Sequence, residues 1–406
     1  MKKLMARNVC LSFILTLGVF LIAGCGGDCG VFIPFPDTTR PTVISTVPAN
    51  GATGVSPATK ITATFSEAMD PATITSTTFT VVPTPVAPVK QVAAAVTGTV
   101  TYSGVTAVFT PASPLAERTS YTGTITTGAK DPSGNALASN YVWTFTTGIA
   151  PIPLGAAAPF GGYGGGSAGM TNQGTLTVIT GDIGTTGAST TMTGFHDSVG
   201  DIYTETPLNK GDVKGRIYTA PPPPGGAGVG GTAATLAVAT AAAADAKIAF
   251  DKMSPAALPG GIDVATLGGG AGELGNRTLA PGVYKSAPGT YAITVGDLTL
   301  DAGGNADAVW VFQMGTSLTV GIAGPTGAKS VKLINGAQAK NVFWQVGSAA
   351  TINGAGGGTM VGTIISNAGI TFSTAGNDVI TTLEGRAVSL NASVTLVNTH
   401  INVPAQ

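Results

Sequence analysis

Side chains able to do covalent or metal chemistry are scarce in this 406-residue sequence, which holds two histidines, His196 and His400, and three cysteines, Cys10, Cys25 and Cys29. A zinc site draws on Cys and His ligands in closely spaced sets, and neither histidine has such a neighbour in sequence. Neither H-E-x-x-H nor a phosphate-binding P-loop occurs. Gly164-Gly165-Gly166-Ser167-Ala168-Gly169 satisfies G-x-G-x-x-G, but dinucleotide binding needs that pattern between a strand and a helix, with an acidic residue further on. Here it reads as a loop in a chain with 59 glycines. Asp182, Asp201, Asp297 and Asp301 lack the spacing of a calcium loop and read as turn residues that bond their own backbone. No catalytic residue, metal, cofactor or small-molecule substrate is therefore expected. With 19 basic against 20 acidic residues, no electrostatic footprint draws the chain to nucleic acid.

The chemistry that does recur is hydroxyl chemistry. In Leu318-Thr319-Val320, Thr351-Ile352, Ile370-Thr371-Phe372 and Val394-Thr395-Leu396, apolar residues alternate with threonine. A strand's period of two places the apolar residues inward and Thr319, Thr351, Thr371 and Thr395 outward. Thr316, Ser317, Ser348, Asn353, Ser373 and Ser393 would widen the array. If such strands stack, equivalent residues lie about 4.8 Å apart and i, i+2 neighbours about 6.7 Å apart. A flat, uncharged lattice of methyls and hydroxyls at those spacings can hold water in an ice-like arrangement, whereas charges would impose their own hydration geometry. Threonine is also simply a good soluble strand former, and the pattern alone leaves both readings open.

The elements that must carry these residues are almost entirely β. Only 10% of the residues are charged, against about a quarter in ordinary soluble proteins, so hydroxyls and small residues keep the surface wet. Residues 39–148 alternate Val, Ile, Thr and Phe between turn clusters, as a β-sandwich does. From Leu154 to residue 402, strand-like pieces recur between Gly, Asn and Asp. Near the C-terminus they repeat every 20 to 24 residues, as between Thr351, Thr371 and Thr395, a period that suits one coil of a β-solenoid. Residues 232–253 break the pattern with Leu236, Ala239, Ala243, Ala246, Phe250 and Met253 at helical spacing, ended by Ser254-Pro255 and Pro259-Gly260-Gly261. This predicts one helix lying flat on a β surface.

Three resemblances add to that reading. Lys2, Lys3 and Arg7 precede an apolar run from Leu11 to Ala23, an export signal too short to span a membrane stably. Leu21-Ile22-Ala23-Gly24-Cys25 resembles the bacterial lipobox. That resemblance implies a signal peptide at 1–24, lipidation of Cys25 and anchorage to a membrane, followed by a tether at 25–38. Gly26 after the cysteine implies an outer-membrane lipoprotein of the cell envelope, at its periplasmic face or the cell surface. Val47-Pro48-Ala49-Asn50-Gly51-Ala52, Phe65-Ser66-Glu67-Ala68-Met69-Asp70 and Trp143-Thr144-Phe145-Thr146-Thr147 look like the bacterial Ig-like domain of surface proteins, which implies a spacer over 39–148.

Residues 152–402 resemble the microbial ice-binding protein family. The landmarks are Thr180-Gly181-Asp182-Ile183-Gly184, Leu279-Ala280-Pro281-Gly282-Val283-Tyr284, Trp310-Val311-Phe312-Gln313-Met314-Gly315, Leu333 through Ser348, and Gly385-Arg386-Ala387. The resemblance implies a right-handed, triangular, discontinuous β-solenoid with one long helix alongside. It also implies an ice-binding, antifreeze function on one flat face, near Thr316-Ser317-Leu318-Thr319, Ser348-Ala349-Ala350-Thr351 and Ala392-Ser393-Val394-Thr395. The expected fold is thus an Ig-like β-sandwich followed by that solenoid, and the expected partner is ice. An envelope adhesin or structural surface protein is the alternative.

Overall fold

The computed structural model describes residues 36–84, 94–223, 230–268, 270–324, 326–373 and 379–405. The export signal, the lipidation expected at Cys25, and Cys29 lie outside the described residues. Contacts divide the chain into residues 1–38 and 39–406, and both β bodies belong to the second unit.

Two four-stranded sheets build its first part. One runs Val43–Val47, Ile61–Phe65, Thr106–Pro111, Gly98–Ser103, all antiparallel. The other runs Ala52–Val55, Tyr141–Thr147, Ser120–Ile125, Phe79–Pro83, with its first pair parallel. Alternation decides which residues meet between them: Ile61, Ala63 and Phe65 point inward, as do Tyr121 and Ile125, and they close on Phe79, Phe109, Trp143 and Phe145. This is the Ig-like sandwich.

From Phe160 onward the chain winds through three sheet faces per coil. The first face is a seven-stranded parallel sheet. The second contains Gly282–Lys285, Trp310–Met314, Val342–Val346, the latter halves of Thr359–Ser366 and Thr381–Ser389, then Phe160–Gly164, Asp182–Ala188 and Ile217–Ala220. Along the third lie Thr278–Leu279, Leu298–Asp301 and Val331–Ile334, and further on Thr399–Asn402, Thr177–Ile179, Gly211–Val213 and Phe195–His196. Thr359–Ser366 and Thr381–Ser389 turn the corner between second and third faces without a break. The turn needs glycine: Gly362 has φ +100°, and a Cβ on Gly385, its partner in register, would stand 1.9 Å from the Gly362 carbonyl oxygen.

The coils share one interior. Tyr284, Phe312 and Trp344 are in register on adjacent strands, and their rings stack, with 4.1 Å between the Phe312 and Trp344 centroids at 11°. Both indole N–H groups inside the solenoid find acceptors, as buried ones usually do. Trp344 Nε1 donates to Val361 O at 2.8 Å and Trp310 Nε1 to Leu279 O at 3.1 Å.

The helix spans Ala233–Lys252 and starts at a reciprocal cap in which Thr232 Oγ1 accepts from Thr235 N and Thr235 Oγ1 from Thr232 N. Its buried stripe is Ala239, Ala242, Ala246 and Ala249, against Val283, Val309, Val311, Phe343, Ile365 and Val388 of the second face. Leu236, Ala243 and Phe250, expected in the stripe, are only half-buried. Alanines take the centre because a methyl lets the helix approach a sheet already thick with Val and Ile, and the larger side chains wedge along its margins. Gln313 Nε2 fastens the helix end by donating to Met253 O at 2.8 Å and Leu258 O at 3.0 Å.

The glycine run expected to be a loop is in part strand. Phe160–Gly164 is paired on the second face, and the chain then turns directly into the strand Met170–Asn172. No helix follows, so no amide-lined helix end exists there to hold a pyrophosphate.

Trp344→Ala removes the centre of the ring stack and is expected to cost about 3–5 kcal/mol of unfolding free energy, measured by chemical denaturation. Ala246→Leu, which must push the helix off its sheet, is expected to cost about 1–3 kcal/mol by the same measurement.

Candidate functional surface

The first face orders its seven strands as Met192–Thr193, Met170–Asn172, Val394–Leu396, Ile370–Ser373, Ala350–Asn353, Leu318–Val320 and Tyr291–Ile293. Each strand turns its apolar residues into the core: Met192, Met170, Val394, Ile370, Ala350, Leu318 and Tyr291 are all buried and in register. The next residue of each strand must then face out. That column reads Thr193, Thr171, Thr395, Thr371, Thr351, Thr319 and finally Ala292. Six threonines on six adjacent strands span roughly 24 Å, five intervals of about 4.8 Å.

Small residues flank this ladder. Ser393, Gly369, Ala349 and Ser317 precede the inward residues, and their carbonyls accept from Ile370 N, Ala350 N, Leu318 N and Tyr291 N at 3.0–3.1 Å. Gly169 and Thr191 continue the column beside the first two rungs. None of the seven strands contains a charged residue. The hydroxyls of Thr319, Thr351, Thr371 and Thr395 make no hydrogen bond to another described residue, whereas Thr193 Oγ1 donates to Thr171 Oγ1 at 3.2 Å. Buried Asn172 keeps those two rungs in step: its Nδ2 donates to Gly174 O at 2.7 Å and to Gly194 O at 3.1 Å, on the neighbouring coil.

The ten residues singled out in the sequence thus fall in four places. Thr319, Thr351, Thr371 and Thr395 form the centre of the ladder, and Ser317 and Ser393 stand in the small-residue column. Thr316 and Ser348 mark one corner, where Thr316 Oγ1 donates to Gly289 O at 2.8 Å and Ser348 N to Thr316 O at 2.7 Å. Asn353 and Ser373 pair at the opposite margin, and Asn353 Nδ2 donates to Gly321 O at 3.2 Å. Thr316 and Asn353 therefore already spend side-chain bonding capacity on the fold.

Thr171 and Thr193 were missed. Their local signal is present, since Gly169-Met170-Thr171 and Thr191-Met192-Thr193 repeat the small–apolar–Thr pattern. Their strands lie far from the C-terminal rungs in sequence, and only the sheet brings them together.

The other two faces differ. The helix covers the second. The third is open but charged: Lys332 pairs with Asp297 at 2.7 Å, Glu384 lies in register with Asn402, and His196 lies in register with Asp212. Hydrogen bonding from Lys332, with further bonding from Ser330 N, holds the Asp297 carboxyl below its ordinary range. Two histidines that have no partner in sequence also lie here. His196 Nδ1 is 2.6 Å from Glu205 Oε1, and His400 lies between Val178 and Thr382. Asp301 accepts from Gly303 N of its own turn at 2.9 Å. Asp182, expected to bond its own backbone, instead accepts from Arg216 N of a distant segment at 2.8 Å, because stacking of the coils brings that amide to it.

Gly165-Gly166-Ser167-Ala168-Gly169 also carries the G-x-S-x-G spacing of a hydrolase nucleophile. That motif works at a strand-to-helix elbow with a histidine base nearby. Ser167 instead sits at an exposed turn between two strands, and His196 is engaged by Glu205.

Residues 165–402 match the family model described as Ice-binding-like, and residues 37–147 the one described as Bacterial Ig-like domain. Similar curated proteins include "Ice-binding protein" of Nostoc sp., 34% identical over 245 residues, covering 60% of this chain and 71% of that one. "Ice-binding protein" of Flavobacterium frigoris is 32% identical over 165 residues, covering 41% of this chain and 52% of that protein. "Ice-binding protein 1" of Shewanella frigidimarina is 38% identical over 126 residues, covering 30% and 13% respectively. The chain therefore spans about half of the second relative's length and about an eighth of the third's. With the family match covering more than half of its residues, on the segment that carries the threonine ladder, the chain belongs to the Ice-binding-like family.

Proposed function

We propose that this protein adsorbs to ice through its seven-stranded face and, once adsorbed, stops the covered crystal surface from growing. The observation that carries the reading is the run of six threonines in register, Thr193 to Thr319, on strands without a charge. Rigid parallel pairing fixes the hydroxyls about 4.8 Å apart across strands, and i, i+2 positions about 6.7 Å apart along them. Methyl groups cage water between the rungs while hydroxyls anchor it. Ice growing between adsorbed molecules must then curve, which lowers the local freezing point and blocks recrystallisation. No bond is made or broken, so the protein works without catalytic residues and is not an enzyme. Ser317 and Ser393 extend the contact, and Thr316, Ser348, Asn353 and Ser373 form its margins.

The chain's first residues complete the proposal. Cleavage before Cys25 and lipidation of its thiol place the protein in the cell envelope, held to a membrane, with the Ig-like sandwich between anchor and ice face.

Thermal hysteresis and ice-recrystallisation inhibition test the reading. The exported chain is expected to inhibit recrystallisation at micromolar concentration. Thr371→Tyr, at the ladder's centre, is expected to lower hysteresis at least tenfold with unchanged circular dichroism. Thr171→Tyr should do nearly as much, because its rung adjoins that of Thr395. A folded parent chain without effect on ice would sink the proposal and favour an adhesin or structural surface protein. Full activity in Thr371→Tyr would show that another face makes the contact.

Since the outward positions of this face carry no titratable group, hysteresis is also expected to stay level with pH wherever the fold persists. A titration of activity in the folded protein would place charged groups in the contact.

A further inference from the structure

Two β bodies joined in sequence by a short segment are expected to move relative to one another unless a substantial apolar interface joins them. In this chain the joining segment is itself core. Ile149, Ile152 and Leu154 are 4%, 7% and 3% exposed, and they pack with helix residues Ala239 and Ala246 and with Val283 and Val309 of the second face. At its other end the segment is tied to the sandwich, where Gly148 N donates to Val55 O at 2.7 Å and Ala150 N to Glu117 Oε1 at 3.1 Å.

Two side chains add bonds across the boundary. The Arg118 guanidinium donates to the carbonyl of Pro259 and, at 3.0 Å, to that of Gly260, both just beyond the helix. Asn305 Nδ2 donates to Gly54 O at 2.6 Å, and a Cβ added at Gly54 would stand 3.6 Å from the Pro281 side chain. Beside these contacts a cleft of about 830 Å³ is lined by Val47 and Pro48 from the sandwich and by Pro281 and Asn305 from the solenoid.

The contact has a definite place on the triangle. Pro281, between Thr278–Leu279 and Gly282–Lys285, and Asn305, between Leu298–Asp301 and Trp310–Met314, both sit where the chain passes from the third face to the second. The vertex between two faces of a triangle is opposite the remaining face, and here that face is the threonine sheet. The sandwich is also polarised. Val43–Val47 runs toward the cleft, so Val43, where the chain enters the sandwich, lies about 13 Å from its docked end.

We infer that the Ig-like sandwich is a fixed mount, seated on the vertex opposite the threonine face by Arg118, Asn305 and the buried segment 149–154, so that a chain held at its N-terminal side presents that face away from the point of attachment. The use made of this orientation rests on the ice reading; the rigidity does not.

Double electron–electron resonance on the full chain tests it, with nitroxides on cysteines introduced at Ser103 and Thr175, and Cys10, Cys25 and Cys29 changed to serine. Both label sites are exposed, one at the sandwich tip far from the contact and the other on the solenoid. A single narrow distance distribution is expected, at least doubling in width in Arg118→Ala/Asn305→Ala with unchanged circular dichroism. Because both replaced side chains lie at the surface of their own body, the variant is expected to fold. A parent distribution as broad as the variant's would overturn the inference, and so would a variant as narrow as the parent. Hysteresis measured on the same samples keeps a failure of ice adsorption distinct from a failure of mounting.

Discussion

Backbone pairing between successive coils is the constraint on which the rest of the solenoid depends. Parallel strands joined in register repeat at about 4.8 Å, and that spacing is set by N–H and C=O groups, whatever the side chains are. Once adjacent coils pair, each inward position stacks on its equivalent, as Tyr284, Phe312 and Trp344 do. Each outward position stacks too. The threonine ladder is thus the outer consequence of the order that packs the core, and a register slip of one residue in any coil would exchange Thr for an apolar neighbour.

Three faces built by one winding rule end up with three different surfaces. Alanines on the helix allow close approach to Val311 and Phe343, which takes the second face out of solvent. The third face keeps Lys332, Asp297, Glu384 and Asp212, whose charges orient water around themselves. Among the described residues the first face has neither cover nor charge, and its flanking Gly169, Gly369 and Ala349 leave the threonine hydroxyls and methyls standing clear of the sheet. The sheet's two edge strands, Met192–Thr193 and Tyr291–Ile293, have only two and three residues, and such short edges offer little for edge-wise association.

The strand order also explains why the face is wide. Met170–Asn172 docks beside Val394–Leu396, so the beginning of the solenoid closes on its end, and Met192–Thr193 follows. After that coil the helix carries the chain back along the second face, and winding resumes at Ile262–Asp263 beside Gly282–Lys285. Two stretches remote in sequence thereby become one sheet.

Much of this was legible in the residues themselves. Alternation in Ile370-Thr371-Phe372 and Val394-Thr395-Leu396 determines inward and outward faces, because a strand's period is local. The Ala-rich run of 232–253 determines a helix, although the centre of its stripe moved to Ala242 and Ala249 once the sheet beneath required the smallest side chains. What the sequence could not order was the stacking. Thr171 and Thr193 carry the same local pattern as Thr371, yet nothing local says which strand they pair with, since a parallel strand's partner is chosen by backbone bonds between distant coils. The same holds for Arg118 and Asn305, which look like ordinary surface residues until the two β bodies meet. Sequence by itself determined the type and facing of each strand; tertiary structure decided their neighbours, and with them the extent of the threonine face.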